Sequence, residues 1–302
     1  MEDKKIIIGI VSALGCEILF GFSYFFTKNA MEVSGEFVLL GWRFFIAFAI
    51  MVLCIITGIV KVDLKGKNIK PLLLVGLFSP CIYFIGETVG ISNTTASESG
   101  VFLACIPVAS QIASTFVLKK KPAKIQVIGI IITLIGVIIT VVALGVTSSL
   151  SVFGYGFLLL AVVSYAFYSV FVEKSPEYTG VEITFVMLMV GAIIFGLIAM
   201  GQSMINGNVN NMVSLPFRES SFAIAVLYQG IGCSIGAFFL SNVAIANIGV
   251  NKASSFIGVA TVVSIIAGTL ILKEPFSRYQ VGGAIIIIAG VYIANSKIKA
   301  LE

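Results

Sequence analysis

Residues 126–136 read QVIGIIITLIG and residues 280–290 read QVGGAIIIIAG. The two strings lie 154 positions apart, and the likeness extends well beyond them. Sliding the chain by that distance aligns 90–139 with 244–293, and 18 of the 50 paired positions are identical. An apolar composition produces matched Ile and Val by itself. It does not produce the pairs Asn93/Asn247, Lys119/Lys273, Gln126/Gln280, Gly129/Gly283 and Gly136/Gly290. A weaker match at an offset of 145 sets Phe20-Gly21-Phe22 beside Tyr165-Ala166-Phe167. Self-similarity at a fixed distance marks a duplicated structural unit.

What the unit is follows from composition. The chain has 302 residues, 59% apolar and 11% charged, with 19 Lys+Arg against 14 Asp+Glu. A soluble chain of this length would carry about 75 charged residues. Too few are present to cover a globule, and the hydrophobicity is too high for a disordered chain. The apolar runs are too long for barrel strands, so the class is a helical integral membrane protein. The net charge of +5 does not point to nucleic acid, because the basic residues sit in short connections rather than on one face. There is no histidine, which removes the commonest metal ligand and general base. The five cysteines lie inside apolar runs with no CxxC pair. No metal site, cofactor or catalytic group is expected.

With about 20 apolar residues per crossing, ten spans are predicted near 6–27, 37–57, 71–91, 98–118, 125–144, 153–172, 181–203, 221–241, 252–272 and 278–296. If the N-terminus is inside, inside segments hold 14 of the Lys+Arg residues and outside segments four, with Arg43 within a span. The positive-inside rule therefore expects both termini in the cytoplasm of a multi-pass cell-membrane protein. Ten spans divide into five plus five, at 1–145 and 146–302. An odd number of spans per copy forces opposite orientations. The expected fold is an all-α membrane protein of ten transmembrane helices in two inverted five-helix repeats. That is an architecture of secondary transporters, with the substrate near the midplane at the repeat interface. The connections 58–70 and 204–220 are too short for a soluble domain. The run Leu118-Lys119-Lys120-Lys121-Pro122 against Leu272-Lys273-Glu274-Pro275 fits the inversion, positive inside and acidic outside.

The unit, a small residue, an apolar span, Leu272-Lys273-Glu274-Pro275, then Gln280 and a final span with Gly283 and Gly290, resembles the EamA repeat of the drug/metabolite transporter superfamily. Phe20-Gly21-Phe22-Ser23 and Arg43-Phe44 fit that pattern too. The first copy departs from it at Lys119–Lys121, where Glu-Pro is usual. The resemblance covers nearly the whole chain. It implies a multi-pass carrier of small metabolites, often an exporter of amino acids or related compounds.

Charges at membrane depth cost several kcal/mol and mark candidate sites. Glu17 lies near the centre of the first span, on one helical face with Gly21, Tyr24 and Lys28. It either lines a cavity, where a carboxyl that takes up and releases protons would couple transport, or forms a structural pair with Arg43 or a hydrogen-bonded acid. Arg43 keeps its charge. It is expected either to pair with Glu87 or another carboxylate, or to recognise an anionic substrate group. Glu87 sits between Gly86 and Gly90, whose spacing permits close helix contact. Glu98 reads as a solvated helix start favoured by the helix dipole. Tyr24, Tyr83, Tyr168, Tyr228, Gln111 and Gln229 are candidates to line an aromatic-walled pocket. Pro80 and Pro107 are expected to kink their spans, and the spacing of Gly232 and Gly236 reads as packing.

Three function classes fit a membrane protein of this kind to different degrees. A secondary transporter acting by alternating access, exporting an amino acid or related compound, is favoured. Drug or toxic-compound efflux by proton antiport stands beside it, with a channel or structural subunit as a distant alternative. An enzyme would need paired acids, a nucleophile–base dyad or a metal cluster, none of which is visible, and no phosphate loop exists for ATP-driven transport. The expected partners are a small-molecule substrate, protons in the coupled reading and the lipid bilayer, with the chain a monomer or homodimer.

Overall fold

The computed structural model describes residues 2–119, 123–145 and 151–295, and everything below concerns these. Lys120, Lys121, Pro122, Lys297, Lys299 and the boundary at 146 fall outside them. The described residues form helices only: α1 (Glu2–Met31), α2 (Glu36–Ile56), α3 (Lys70–Ser92), α4 (Ala96–Val117), α5 (Lys124–Gly145), α6 (Val152–Glu173), α7 (Gly180–Ile205), α8 (Val209–Arg218), α9 (Ser220–Ile248), α10 (Val250–Ile271) and α11 (Arg278–Asn295). Eight of them, α1 to α4, α6, α7, α9 and α10, are long and apolar enough to cross a membrane. α5 and α11 carry shorter apolar stretches, Lys124–Gly136 and Arg278–Ile293. Eight crossings are thus clear among the described residues, of the ten expected. Large apolar side chains face outward around the bundle, among them Phe116 (78% exposed), Leu270 (73%) and Leu197 (69%). Exposed apolar surface on this scale needs an apolar solvent.

Helix starts follow local chemistry. α4 and α7 open on complete capping boxes, Thr95 with Glu98 and Thr179 with Glu182, which satisfy orphan N–H groups reciprocally. Glu98 is not the solvated end expected. It is 4% exposed, because Tyr155 covers it and donates to it at 3.4 Å. Both kink expectations hold. α3 breaks at Ser79 (φ −142°, ψ 117°) before Pro80, and α4 restarts at Ile106 with Pro107 in its first turn, where the missing N–H costs nothing. The 204–220 connection contains α8, an amphipathic helix that the span ruler did not reveal. It is held to α2 by the Trp42 indole N–H donating to the Met212 carbonyl at 2.9 Å.

The matched residues of the two halves explain one another. Gln126 accepts the Ala123 N–H at 2.7 Å and Gln280 accepts the Ser277 N–H at 2.6 Å, each capping the start of its helix. Lys119 and Lys273 share a left-handed backbone, φ 56° and 53°. The α5–α11 contact is reciprocal. A Cβ on Gly136 would lie 2.8 Å from the Gly283 carbonyl oxygen, and one on Gly290 would lie 2.8 Å from that of Gly129. Exchanging each residue for its repeat partner maps the first contact onto the second, as a two-fold axis does. Gly86 is also closely packed, 2.7 Å from the Phe157 carbonyl of α6 by the same measure. The Gly232/Gly236 spacing is not a close contact. A Cβ there would meet nothing nearer than 3.8 and 3.5 Å, because this part of α9 is widened into π-helical turns.

A Gly290→Ala change would put its methyl 2.5 Å from the Thr133 backbone nitrogen. Overpacking of this kind costs about 1–3 kcal/mol. The variant is expected to unfold at a lower temperature in detergent, and unchanged stability would contradict the glycine-to-glycine contact.

Candidate substrate site

The polar groups at membrane depth converge from α1, α2, α3, α6 and α9. Arg43 is 1% exposed. Its Nε–H donates to Ser234 Oγ at 2.8 Å, and one terminal nitrogen reaches Gln229 Oε1 at 3.5 Å. The guanidinium carbon lies 4.2 Å from the Phe84 ring centroid and 5.7 Å from that of Phe44, a cation–π arrangement worth about 2 kcal/mol when desolvated. Gln229 is oriented by α1, its amide donating to Thr27 Oγ1 at 2.7 Å. Arg43 makes none of the expected carboxylate pairing among the described residues; an ion pair does join Lys67 and Glu182, at 2.7 Å. Uncharged side chains and ring faces hold the guanidinium instead, and its Nη2 has no partner.

Glu87, 2% exposed, lies on α3 three residues after Phe84, whose ring faces Arg43. It accepts a hydrogen bond from the Tyr83 hydroxyl at 2.7 Å. Tyr83 meets Tyr165 edge-on at 5.6 Å, and Tyr165 meets Tyr168 at 5.2 Å. The Tyr168 hydroxyl donates to Asn242 at 2.6 Å, and the Asn242 amide donates to Thr184 at 2.9 Å. This ladder of rings crosses from α3 through α6 to α9 and α7. Tyr24 is buried on α1, two turns after Glu17. Glu17 is 5% exposed, and its one hydrogen bond among the described residues is from the neighbouring Cys16 thiol at 3.9 Å. Neither the pair with Arg43 nor a well-bonded acid is realised.

Two candidates lie elsewhere. Gln111 accepts from the Gln126 amide at 3.2 Å and joins α4 to α5. Its repeat counterpart is Ile265, so the matching Gln280 nitrogen is left buried without a partner. The Tyr228 hydroxyl donates to the Leu19 carbonyl at 2.8 Å, and its ring stacks on Phe26 at 4.2 Å, which makes it a tether between α9 and α1. Sequence reading missed Ser234, Thr27, Asn242, Thr184 and the Phe84 face. Hydroxyl and amide residues occur throughout these spans, and no spacing singles these out.

Above the site, at the end of α1, opens a cleft of about 430 Å³ that includes Lys28, Glu32, Ser92 and Glu274. Glu274 crosses from the second half to cap α4 in the first. It accepts the Ala96 and Ser97 N–H groups at 2.8 and 2.9 Å and the Ser97 hydroxyl at 2.8 Å. At the other end, the first N–H of α10 goes to Glu173, from α6, at 2.7 Å. The acidic residue of the resembled motif thus has a physical task, neutralising the positive end of a helix.

The profile of the EamA-like transporter family matches residues 7–142 and again residues 152–296. The chain belongs to the EamA-like transporter family. This EamA protein is 32% identical to the uncharacterized transporter YcxC of Bacillus subtilis (strain 168), over 96% of its own length and 93% of that relative. An uncharacterized transporter of Archaeoglobus fulgidus is 22% identical over 92% of this chain and 95% of its own. A crystal structure superposes with a TM-score of 0.66 at 17% identity, covering 97% of this chain and 96% of the other, a likeness of fold alone. The EamA chain is therefore a multi-pass membrane transporter rather than an enzyme, with a small molecule as substrate.

Proposed function

We propose that this EamA protein is a secondary transporter that exports an amino acid or related zwitterionic metabolite across the cell membrane by alternating access. The observation that carries this is the Arg43 guanidinium, buried with one donor unpartnered and set against Phe84 of α3, the helix that carries the Glu87–Tyr83 pair. A buried charged donor left unmet costs about 1–3 kcal/mol or more. A substrate carboxylate on Nη2 removes that cost, and a substrate ammonium is suited to Glu87. The ring ladder of Tyr83, Tyr165 and Tyr168, with Tyr24, supplies the apolar wall. Glu17 is assigned to proton coupling, and Gln229 to orienting Arg43.

In this reading ten helices form two inverted repeats, 1–145 and 146–302, with both termini cytoplasmic. The reciprocal α5–α11 contact supports the two-fold relation. The contacts between connections agree with the alternation of sides. With both termini cytoplasmic, Lys67 with Glu182 and Glu173 with Val250 would lie inside. Trp42 with Met212 and Glu274 with Ala96 would lie outside.

The test is counterflow in proteoliposomes loaded with unlabelled amino acids, with labelled ones added outside. Saturable accumulation of a labelled zwitterion is expected, competed by analogues that keep both charged groups. Unsaturable flux would indicate a channel, and accumulation of lipophilic cations alone would favour drug efflux.

A further inference from the structure

We propose that the junction of α2, α7 and α8 binds one glycerolipid with an uncharged, hydroxyl-bearing headgroup. Two recesses adjoin there. One of about 200 Å³ is apolar, walled by Gly41, Trp42, Phe45, Gly196, Met200 and Met212. The other, about 180 Å³, is lined by Ser34, Gln202, Asn206, Asn208 and Asn211. Val38 and Met212 belong to both, so they form one continuous site with an apolar end and an amide end. No Lys, Arg, Asp or Glu lines either part.

That polarity describes the occupant. The apolar recess suits a stretch of acyl chain. The other, with room for about six waters by volume, suits a small hydroxylated head. Gln202, Asn206, Asn208 and Asn211 are free to meet it, since their side chains make no hydrogen bond to the described residues and each is exposed. Amides both donate and accept, as hydroxyls do. A phosphate headgroup finds no cation here to offset its desolvation, so the charge pattern selects a glycolipid over an anionic phospholipid.

The site is shaped before anything enters it. The Trp42 indole is fixed by its bond to the Met212 carbonyl and stands edge-on to Phe45 at 5.8 Å. Ser203 beneath the amides bonds the Met212 sulfur at 3.1 Å. Gly196 leaves the recess open, since a Cβ there would meet nothing within 4 Å. A larger side chain at 196 therefore enters the recess without a clash at its Cβ.

Trp42 is the one tryptophan of the chain, so its fluorescence reports the recess directly. The experiment reconstitutes the full chain in nanodiscs with increasing fractions of a lipid brominated on its acyl chains. The headgroup is monoglucosyl-diacylglycerol, phosphatidylglycerol or phosphatidylcholine. Half-maximal quenching is expected at an about tenfold lower fraction for the glycolipid, the difference a few amide–hydroxyl bonds provide. Gly196→Phe is expected to abolish tight quenching by all three. The triple change of Asn206, Asn208 and Asn211 to Ala is expected to erase the headgroup preference while leaving quenching itself, and it keeps the test alive if Gly196→Phe does not fold. Equal quenching by the three lipids would show ordinary bilayer contact and overturn the proposal. A preference for phosphatidylglycerol would overturn the headgroup assignment.

Discussion

Arg43→Gln is expected to weaken substrate half-saturation in counterflow about 100-fold while leaving the protein folded. The magnitude is that of one charge-assisted hydrogen bond to a carboxylate, up to about 3 kcal/mol, converted at about 1.4 kcal/mol per tenfold. Arg43 is buried with no ion pair among the described residues and one nitrogen unpartnered. Removing the charge relieves its desolvation and forfeits its contact with the Phe84 ring, opposing effects of similar size, so stability is expected to change little. The amide of Gln can still meet Ser234. Arg43→Lys keeps the charge but loses the planar fork and the ring stacking, and is expected to fall between the two. A structural role for Arg43 would show the opposite pattern, with stability lost and half-saturation unchanged.

The same residue shows where sequence reading stops. Depth in the membrane was legible, because span boundaries place Arg43, Glu87 and Glu17 along their helices. Azimuth and partner were not. Charge arithmetic favours a carboxylate for an arginine, and the chain instead supplies Ser234 and Gln229, nearly 200 positions away and unmarked by any motif. Their position depends on the π-helical widening of Tyr228–Ala237, a local change of winding that hydrophobic periodicity does not encode. Glu98 misled for a similar reason, since a helix start reads as solvated until Tyr155 from another helix is laid over it. α8 stayed hidden because a short amphipathic helix rich in Asn looks like a polar connection to a ruler built for crossings.

The duplicated features were legible, and the structure gives them causes. Gln126 and Gln280 match because each caps the helix that follows. The glycine pairs match because each serves the other across one contact. Where the halves diverge, function or compensation accounts for it. Gln111 gives Gln126 a partner that Ile265 denies Gln280. Glu173 caps α10, while Glu274 caps α4 from across the halves.

Glu17→Gln is expected to separate substrate movement from proton movement. The carboxyl sits centrally on α1, 5% exposed, with Cys16 its one hydrogen-bonding neighbour among the described residues. A carboxyl kept at this depth without a structural partner is a functional hypothesis by default, and Gln keeps its shape while removing the exchangeable proton. Consider liposomes acidic outside and loaded with substrate. If export is coupled to proton entry through Glu17, the acid gradient accelerates efflux in the unaltered protein and reversing the gradient slows it. The variant is expected to lose both responses, so that efflux becomes equal with and without a gradient and the final substrate ratio no longer shifts by the about tenfold per pH unit that a one-proton exchange sets at equilibrium. Counterflow needs no net proton movement, so it is expected to persist in the variant at comparable half-saturation. Loss of counterflow together with gradient response would place Glu17 on the substrate itself. A variant that still follows the gradient would remove Glu17 from coupling and leave Glu87, hydrogen-bonded to Tyr83, as the carboxyl to test next.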